Sequence, residues 1–165
     1  MIVVEVRVCD ADDLKQLRSS WPTPADVAGS HYAEQRAGHA SFLVVWSDGE
    51  PVGWAVIQWG DCLGSNAKAA YPGSAEVIHL QVRPELRNRG AGTALLQAAE
   101  KAIADRNIAH GAVSVSLENP DAARLFDRCG YHRTGIIDVS EYDWVENAGS
   151  THHKREVNEL LIKRL

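Results

Sequence analysis

The sequence has no apolar run that could cross a membrane. Apolar residues make up 45% of its 165 positions, but no stretch approaches the roughly 20 consecutive apolar residues that a membrane-spanning helix needs. The N-terminal segment MIVVEVRV lacks the basic start and the small-residue cleavage site of a signal peptide, and it predicts a strand. We therefore expect no membrane partner and a cytoplasmic location.

The sequence also has few residues that could form disulfides or bind metals. Its three cysteines, Cys9, Cys62 and Cys129, are odd in number and show no metal-ligand spacing. The adjacent His152 and His153 have no third ligand at a matching distance along the chain. We expect reduced thiols, which fit a cytoplasmic setting, and no metal centre.

An excess of positive charge is absent as well. The chain carries 17 Lys and Arg against 22 Asp and Glu, and its net charge of −5 argues against a nucleic-acid partner. The same charge is compatible with a cationic small substrate. Residues 138–146, DVSEYDWVE, contribute four acids and two aromatic residues without a Lys or Arg.

Hydrophobic periodicity and turn signals predict a single α+β domain over residues 1–165, because no repeat, linker or low-complexity block interrupts the chain. Strands are predicted at 2–9, 40–47, 51–59, 75–82, 111–117, 131–139 and 156–163, and helices at 11–19, 25–37, from the glycine-rich stretch to 107, and at 119–130. Residues 60–74 are rich in Gly and Ala without a clear period, so this segment is predicted to be a loop.

The stretch RNRGAGT, residues 87–93, combines two arginines and two glycines directly before a helix-forming run. A helix N-terminus leaves backbone N–H groups unpaired and carries partial positive charge. Glycines allow a ligand to approach the backbone closely, and Arg87 and Arg89 can neutralise phosphate oxygens. The stretch therefore predicts a pyrophosphate site.

The residues after the two glycines exclude two common phosphate-binding motifs. A P-loop requires Lys followed by Ser or Thr after its second glycine, whereas Gly92 is followed by Thr93 and Ala94. A dinucleotide-binding fingerprint requires a third glycine where this chain has Leu95. The alternative without a ligand is that Gly90 and Gly92 only form a tight turn.

The remaining pattern, Arg-x-x-Gly-x-Gly at 87–92 after a strand and a Val-x-Pro at 82–84, resembles motif A of the GNAT superfamily of acetyl-CoA-dependent N-acetyltransferases. A second stretch, NPDAARLFDRCGY at 119–131, is similar to motif B of the same family. The resemblance implies an α/β/α sandwich with a mixed, mostly antiparallel central sheet and helices on both faces. It implies acetyl-CoA as the cofactor and acetyl transfer to a primary amine, and it allows a homodimer. We expect direct transfer in a ternary complex rather than an acetyl-enzyme, because Cys129 has no evident partner base.

The resemblance also assigns roles to individual residues. The backbone around the glycines would hold the pyrophosphate of coenzyme A, and the strand ending at Val82 would pair with the pantetheine arm. The N–H of Leu80 would polarise the thioester carbonyl, a stabilisation worth several kcal/mol in other enzymes. The residues implied in cofactor binding are Leu80, Val82, Arg87, Asn88, Arg89, Gly90, Ala91, Gly92, Thr93, Asn119 and Phe126.

Glu76 is the first candidate for the base that deprotonates the amine. It precedes Arg87 by eleven residues, as a Glu or His base does in several family members. Strand alternation predicts that one face carries Glu76, Ile78, Leu80 and Val82. Apolar surroundings would raise the pKa of Glu76. His79 is the rival because its ordinary pKa is better suited, but its parity predicts the opposite face.

Phe126 departs from the family pattern, which has a tyrosine there as the acid for the leaving thiolate. Phenylalanine has no proton to donate, and neither Cys129 nor Tyr131 can be assigned that role from the sequence. This substitution keeps open a second class of function, a module that binds acyl-CoA without catalysis.

The N-terminal helices, residues 60–74 and the acidic segment 138–146 are predicted to form the acceptor site. The acids there favour a small cationic amine, such as an aminoglycoside, over a protein or peptide amine. Trp21, Trp54 and Trp59 are candidates for lining this pocket, although tryptophan is more often a packing residue. Another acyl donor, such as succinyl- or propionyl-CoA, also remains open.

Overall fold

The computed structural model describes residues 2–146 and 148–165, and these residues form seven strands and five α-helices. The strands are β1 (Glu5–Val8), β2 (Ala40–Ser47), β3 (Glu50–Gln58), β4 (Ala75–Val82), β5 (His110–Ser116), β6 (His132–Val145) and β7 (Thr151–Arg164). The helices are α1 (Ala11–Ser20), α2 (Val27–Arg36), α3 (Ser65–Ala70), α4 (Ala91–Asp105) and α5 (Pro120–Arg128), with 3-10 turns at Pro24–Asp26 and Pro84–Leu86.

The strands form a single sheet in the order β1-β2-β3-β4-β5-β7-β6. Neighbouring strands are antiparallel except β4 and β5, which are parallel. A parallel pair needs a long crossover connection, and α4 supplies it between these two strands. The prediction of a mixed, mostly antiparallel sheet is confirmed.

Helices cover both faces of the sheet. On one face α4 buries Leu95, Leu96 and Ile103 against β2, β3, β4 and β5. On the other face α1 and α2 bury Leu14, Leu17 and Ala28 against Trp46, Trp54 and Val56. The three-layer arrangement predicted for the fold class is therefore confirmed. Both faces of the central strands are buried, which explains their near-continuous apolar composition.

The prediction of a loop at 60–74 is wrong in part, because Ser65–Ala70 forms α3. This short helix has no side-chain cap of its own. The carboxylate of Asp138 accepts hydrogen bonds from the N–H groups of Asn66 and Ala67, at 2.9 and 3.0 Å. The local sequence did not reveal the helix because its stabilising cap lies about seventy residues away along the chain.

The last two strands are longer than predicted and form a projecting hairpin. The first strand is predicted to end at 139 but ends at Val145, and the second is predicted to begin at 156 but begins at Thr151. Each residue of 137–145 has a register partner on β7. Alternation of polar residues on two exposed faces hid this hairpin from hydrophobic periodicity. In residues 2–146 and 148–165, no helix combines the length and apolar character needed to span a membrane.

Candidate active site

The site begins where β4 and β5 separate. These parallel strands are in register at Ala75 with Gly111 and at Glu76 with Ala112, and no further pair follows within the described chain. Beyond Val77 the β5-side edge of β4 therefore has no strand partner in the described chain. The resulting V-shaped gap can receive an extended ligand that pairs with β4 as an added strand would.

A β-bulge in β4 lies inside this gap. Val56 of β3 pairs with Ile78 and Trp54 pairs with Gln81, so two residues of β4 face one residue of β3. His79 takes up the extra length with a φ of +53°, a conformation that is unfavourable for a residue with a Cβ. On β3, a Cβ at Gly53 would lie 2.5 Å from the carbonyl oxygen of Gln81, so glycine permits the close approach of the two strands.

The bulge overturns the predicted distribution of side chains on β4. Leu80 and Val82 pack in the same core as Val77, on the α4 face, whereas Ile78 packs on the α1–α2 face. Alternation puts Glu76 on the side of Ile78, so the prediction that Glu76 shares a face with Leu80 and Val82 is wrong. The sequence pattern assumed a regular strand, and one extra residue reverses the parity of every later position.

His79 also lies on a different face from the one predicted. Its ring stacks on His31 of α2 with a centroid distance of 4.7 Å, and His31 in turn packs edge-on against Phe42 and Trp54. His79 is thus on the α1–α2 face with Ile78, and the prediction that it lies opposite Glu76 is wrong.

The glycine-rich stretch, or glycine cradle, forms the turn that leads into α4, and its role in cofactor binding stays a prediction. Gly90 begins α4 with a φ of +96° and no side-chain cap, so the N–H groups of the first turn are free for a ligand. A Cβ at Gly92 would contact Leu125 at 3.4 Å, which shows how closely α5 approaches α4 at this point. Arg87 and Arg89 are exposed beside this turn, and the geometry fits a pyrophosphate.

Glu76 lies at the apex of the gap, 3% exposed. Its Oε1 accepts a hydrogen bond from the N–H of Leu63 at 3.0 Å. Burial raises the pKa of the Glu76 carboxyl, while the Leu63 N–H and the Ser114 side chain partly oppose this rise and the charge of Asp138 adds to it. The carboxylate is therefore more basic than an exposed one.

The residues of motif B have structural partners of their own. Asn119 caps α5 by accepting a hydrogen bond from the N–H of Ala122 at 3.1 Å. Phe126 is 6% exposed and packs edge-on against Tyr131, with ring centroids 5.8 Å apart. The Tyr131 hydroxyl donates to Glu100 at 2.9 Å, and burial followed by the charge of Glu100 raises the pKa of Tyr131. Tyr131 thus holds its proton tightly and directs it towards Glu100.

His31, which the sequence analysis did not single out, lies against His79. It is 9% exposed, and its Nε2 has no hydrogen-bond partner in the described part of the chain. Burial, with a smaller contribution from His79, lowers the pKa of His31 to about 4, and burial lowers the pKa of His79 as well. Its spacing of three residues from the buried Ala28 on α2 was the available signal.

The acidic segment 138–146 does not present free carboxylates. Asp138 caps α3, and three acids of the segment pair with basic residues across the hairpin. The pairs are Glu141 with Arg155, Asp143 with His153, and Glu146 with His152. No cluster of three or more metal-ligating side chains is found among residues 2–146 and 148–165.

The three candidate tryptophans lie on two different faces of the sheet. Trp54 is buried beneath Trp21, with ring centroids 4.5 Å apart, on the α1–α2 face. Trp59 instead packs with the α4-side core, where it donates to Ser41 at 2.9 Å and carries the Arg106 guanidinium 3.5 Å above its ring. Trp21 is therefore connected to His79 only through Trp54 and His31, whereas Trp59 belongs to the core packing.

Residues 9–131, which include both motifs and the gap, match the model of the acetyltransferase (GNAT) family. The chain belongs to this family. GNAT domains in solved structures include one with acetyl-CoA bound and one in complex with coenzyme A, and the free edge of β4 and the glycine cradle fit that ligand. This GNAT domain is an acyltransferase, and acetyl-CoA is its cofactor.

Individual relatives agree with this assignment. A curated N-alpha-acetyltransferase of Sulfurisphaera tokodaii is 32% identical over 103 residues, which cover 59% of this chain and 60% of that relative. The match thus spans less than two thirds of the relative's length.

Two solved structures share the fold over nearly the whole chain. Ribosomal-protein-alanine N-acetyltransferase from Brucella melitensis has a TM-score of 0.68 at 18% identity, covering 98% of this chain and 99% of its own. The PaiA N-acetyltransferase from Thermoplasma acidophilum, solved with coenzyme A, has a TM-score of 0.63 at 16% identity, covering 99% and 100%. At such identities these similarities establish the fold alone.

Proposed function

We propose that the protein transfers the acetyl group of acetyl-CoA to the N-terminal α-amino group of a peptide or protein, directly and in a ternary complex. The observation that carries the reaction type is the gap between β4 and β5, which has the glycine cradle at one end and the buried Glu76 at its apex. The cofactor supplies an activated acetyl thioester, and the residues of this chain supply position, polarisation and proton transfer.

Positioning depends on backbone groups. The N–H groups of the first turn of α4, together with Arg87 and Arg89, would hold the pyrophosphate. The open edge of β4 would hold the pantetheine arm. The bulge leaves His79 and Leu80 without register partners on β3 or β5, so the Leu80 N–H is available to donate to the acetyl carbonyl oxygen as the negative charge on it grows.

Glu76 would act as a general base through a water molecule. The carboxyl is too deeply buried to meet a bulky acceptor directly, but one bridging water extends its reach. The pKa of Glu76 is raised towards neutral pH, which makes its carboxylate a better proton acceptor. Phe126 cannot protonate the leaving thiolate and Tyr131 is engaged by Glu100, so solvent would supply that proton.

The hairpin and the sequence relative support a peptide acceptor. The acids of 138–146 are paired across the hairpin or cap α3, so they offer little free negative charge to a polycation. The relative that is 32% identical is an N-alpha-acetyltransferase by name. A small cationic amine, such as an aminoglycoside, is the second candidate. Three of the four acids of 138–146 lie on β6, and this local excess of acids would attract a cation.

The test replaces Glu76 with Gln. We expect Glu76→Gln to lower kcat/KM for peptide acetylation by about 10²-fold, since general-base catalysis contributes at least that much, while acetyl-CoA binding measured by calorimetry stays the same. Glu50→Gln, at the exposed start of β3, is the matched control. Equal activity of both variants would remove Glu76 from the mechanism.

A panel of acceptors decides the substrate class. Short peptides with free α-amino groups, the same peptides with blocked N-termini and a free lysine, polyamines and aminoglycosides are compared at equal concentration. Preference for free α-amino groups supports the proposal, and preference for polycations supports the second candidate. Tight acetyl-CoA binding without turnover of any amine would instead identify a non-catalytic module.

A further inference from the structure

The acceptor must lose two protons in this reaction. An amine arrives largely as an ammonium group, which becomes nucleophilic only after one proton leaves. A second proton leaves the nitrogen as the new C–N bond forms and the C–S bond breaks. Glu76 is a single buried carboxylate with one oxygen bonded to the Leu63 N–H. A second proton acceptor on the same face would complete the balance.

His79 has the required position. The bulge directs its ring to the α1–α2 face. His79 directly precedes Leu80, whose N–H would donate to the acetyl carbonyl oxygen. His31 covers one face of the ring, which partly buries it, yet residue 79 as a whole is exposed to solvent, whereas Glu76 is buried. An ammonium group that approaches from solvent on this face can therefore contact His79, whereas the buried Glu76 is out of its direct reach.

His31 holds His79 in place. The two rings stack at 4.7 Å, and Phe42 and Trp54 fix His31 by edge-on contacts at 5.4 and 6.0 Å. The Nε2 of His31 is buried without a partner in the described chain, so a proton there would be an unpaired buried charge. His31 thus remains neutral and serves as a positioning residue.

We propose that His79, held against His31, accepts the first proton of the acceptor's ammonium group, and that the water held by Glu76 accepts the second. This inference rests on the proposed function. In the first step the N–H bond of the ammonium breaks and the proton moves to the free ring nitrogen of His79, which later releases it to solvent. In the second step the C–N bond forms, the C–S bond breaks, and the nitrogen's proton passes through water to Glu76.

This division favours an α-amino group over a lysine side chain. The ordinary pKa of an α-amino group is about 8, that of a lysine about 10.4, and that of histidine about 6.5. The difference between the first two values makes a lysine ammonium harder to deprotonate than an α-ammonium by about 250-fold. Burial lowers the pKa of His79 further, so the transfer from lysine is the more unfavourable of the two.

The charged surroundings of His79 are limited. His31 of α2 is the titratable group stacked on it, and Trp54 of β3, which packs against His31, is not titratable. Two guanidinium groups lie over tryptophans of this face, and both are ion-paired: Arg83 over Trp21 with Glu85, and Arg7 over Trp46 with Asp13. In the described chain His79 has no ion pair or side-chain hydrogen bond, so its basicity is set mainly by burial.

The test is a pH–rate profile of His79→Gln with a peptide that has a free α-amino group. At about pH 7 we expect kcat/KM to fall by about tenfold, because only about a tenth of an α-amine with a pKa of about 8 is neutral in solution at that pH. The defect should shrink to a few-fold above about pH 9, because the acceptor is then already deprotonated in solution. His132→Gln, which removes an exposed histidine from the start of β6, should retain the wild-type profile.

Two further measurements separate catalysis from structure. Calorimetry should give wild-type affinity of His79→Gln for acetyl-CoA, and the imidazole NMR signal of His79 in the wild-type protein should titrate below the ordinary histidine range. A defect of constant size at every pH, or no defect, would overturn the inference while leaving the proposed function intact. If the wild-type protein acetylates no α-amine at all, the proposed function fails instead.

Discussion

His31 should make the protein sensitive to mild acid, and the size of the effect depends on its burial. The pKa of His31 is about 4 in the folded protein, whereas an unfolded histidine titrates near about 6.5. Because the folded value is the lower one, the unfolded chain binds more protons between these two pH values. The stability associated with neutral His31 is therefore present above about pH 6.5 and is lost as the pH falls.

The two pKa values set the magnitude. Between about pH 7.5 and about pH 5, the linkage relation gives a loss of about 2 kcal/mol from this one residue. His31→Phe keeps a ring between Phe42 and Trp54 but cannot be protonated. Any packing cost of the larger ring is the same at both pH values and cancels in the difference.

The assay is urea denaturation, monitored by tryptophan fluorescence at the two pH values. The wild-type protein should lose about 2 kcal/mol more stability on acidification than His31→Phe does. His132→Gln is the control for removing an exposed imidazole, and it should behave as the wild type does. If His31→Phe loses as much stability as the wild type, a neutral buried imidazole at position 31 is refuted.

Two further predictions concern the backbone around the site. Gly53→Ala puts a Cβ against the Gln81 carbonyl, so the free energy of unfolding should fall by about 1–3 kcal/mol, measured by urea denaturation; an unchanged value would mean that β3 and β4 tolerate a wider spacing at the bulge. Asp138→Ala removes the cap of α3 and should lower the free energy of unfolding by about 0.5–2 kcal/mol. Asp138→Asn should keep most of this stability, and KM for the acceptor amine should be unchanged in both variants. A raised KM would instead assign Asp138 to acceptor binding.

The cofactor side of the site was readable from the sequence because its chemistry is local. Gly90 and Gly92 carry the backbone freedom, Arg87 and Arg89 carry the charge, and all four lie within six consecutive residues at a helix start. Local backbone geometry then depends on residue type with little help from the rest of the fold. Their contacts with the cofactor remain a prediction.

The acceptor side was not readable in the same way. His31 and His79 are 48 positions apart along the chain, and their contact exists only because α2 packs over β4. The acids of 138–146 suggested a free anionic surface, but Arg155 and His153 lie opposite them once the hairpin is paired. Pairings between distant segments depend on register, which composition does not encode.

The sequence by itself determined the family, the sheet with helices on both faces, the cofactor and the position of Glu76 eleven residues before Arg87. The tertiary structure alone decided which side chains meet on the acceptor face. The bulge at His79 reversed the side-chain parity of β4, moved Leu80 and Val82 to the α4 face and brought His79 onto His31. A β-bulge is defined by how one strand pairs with its neighbour, so the bulge in β4 exists only in relation to β3. The sequence of β4 alone therefore does not reveal it.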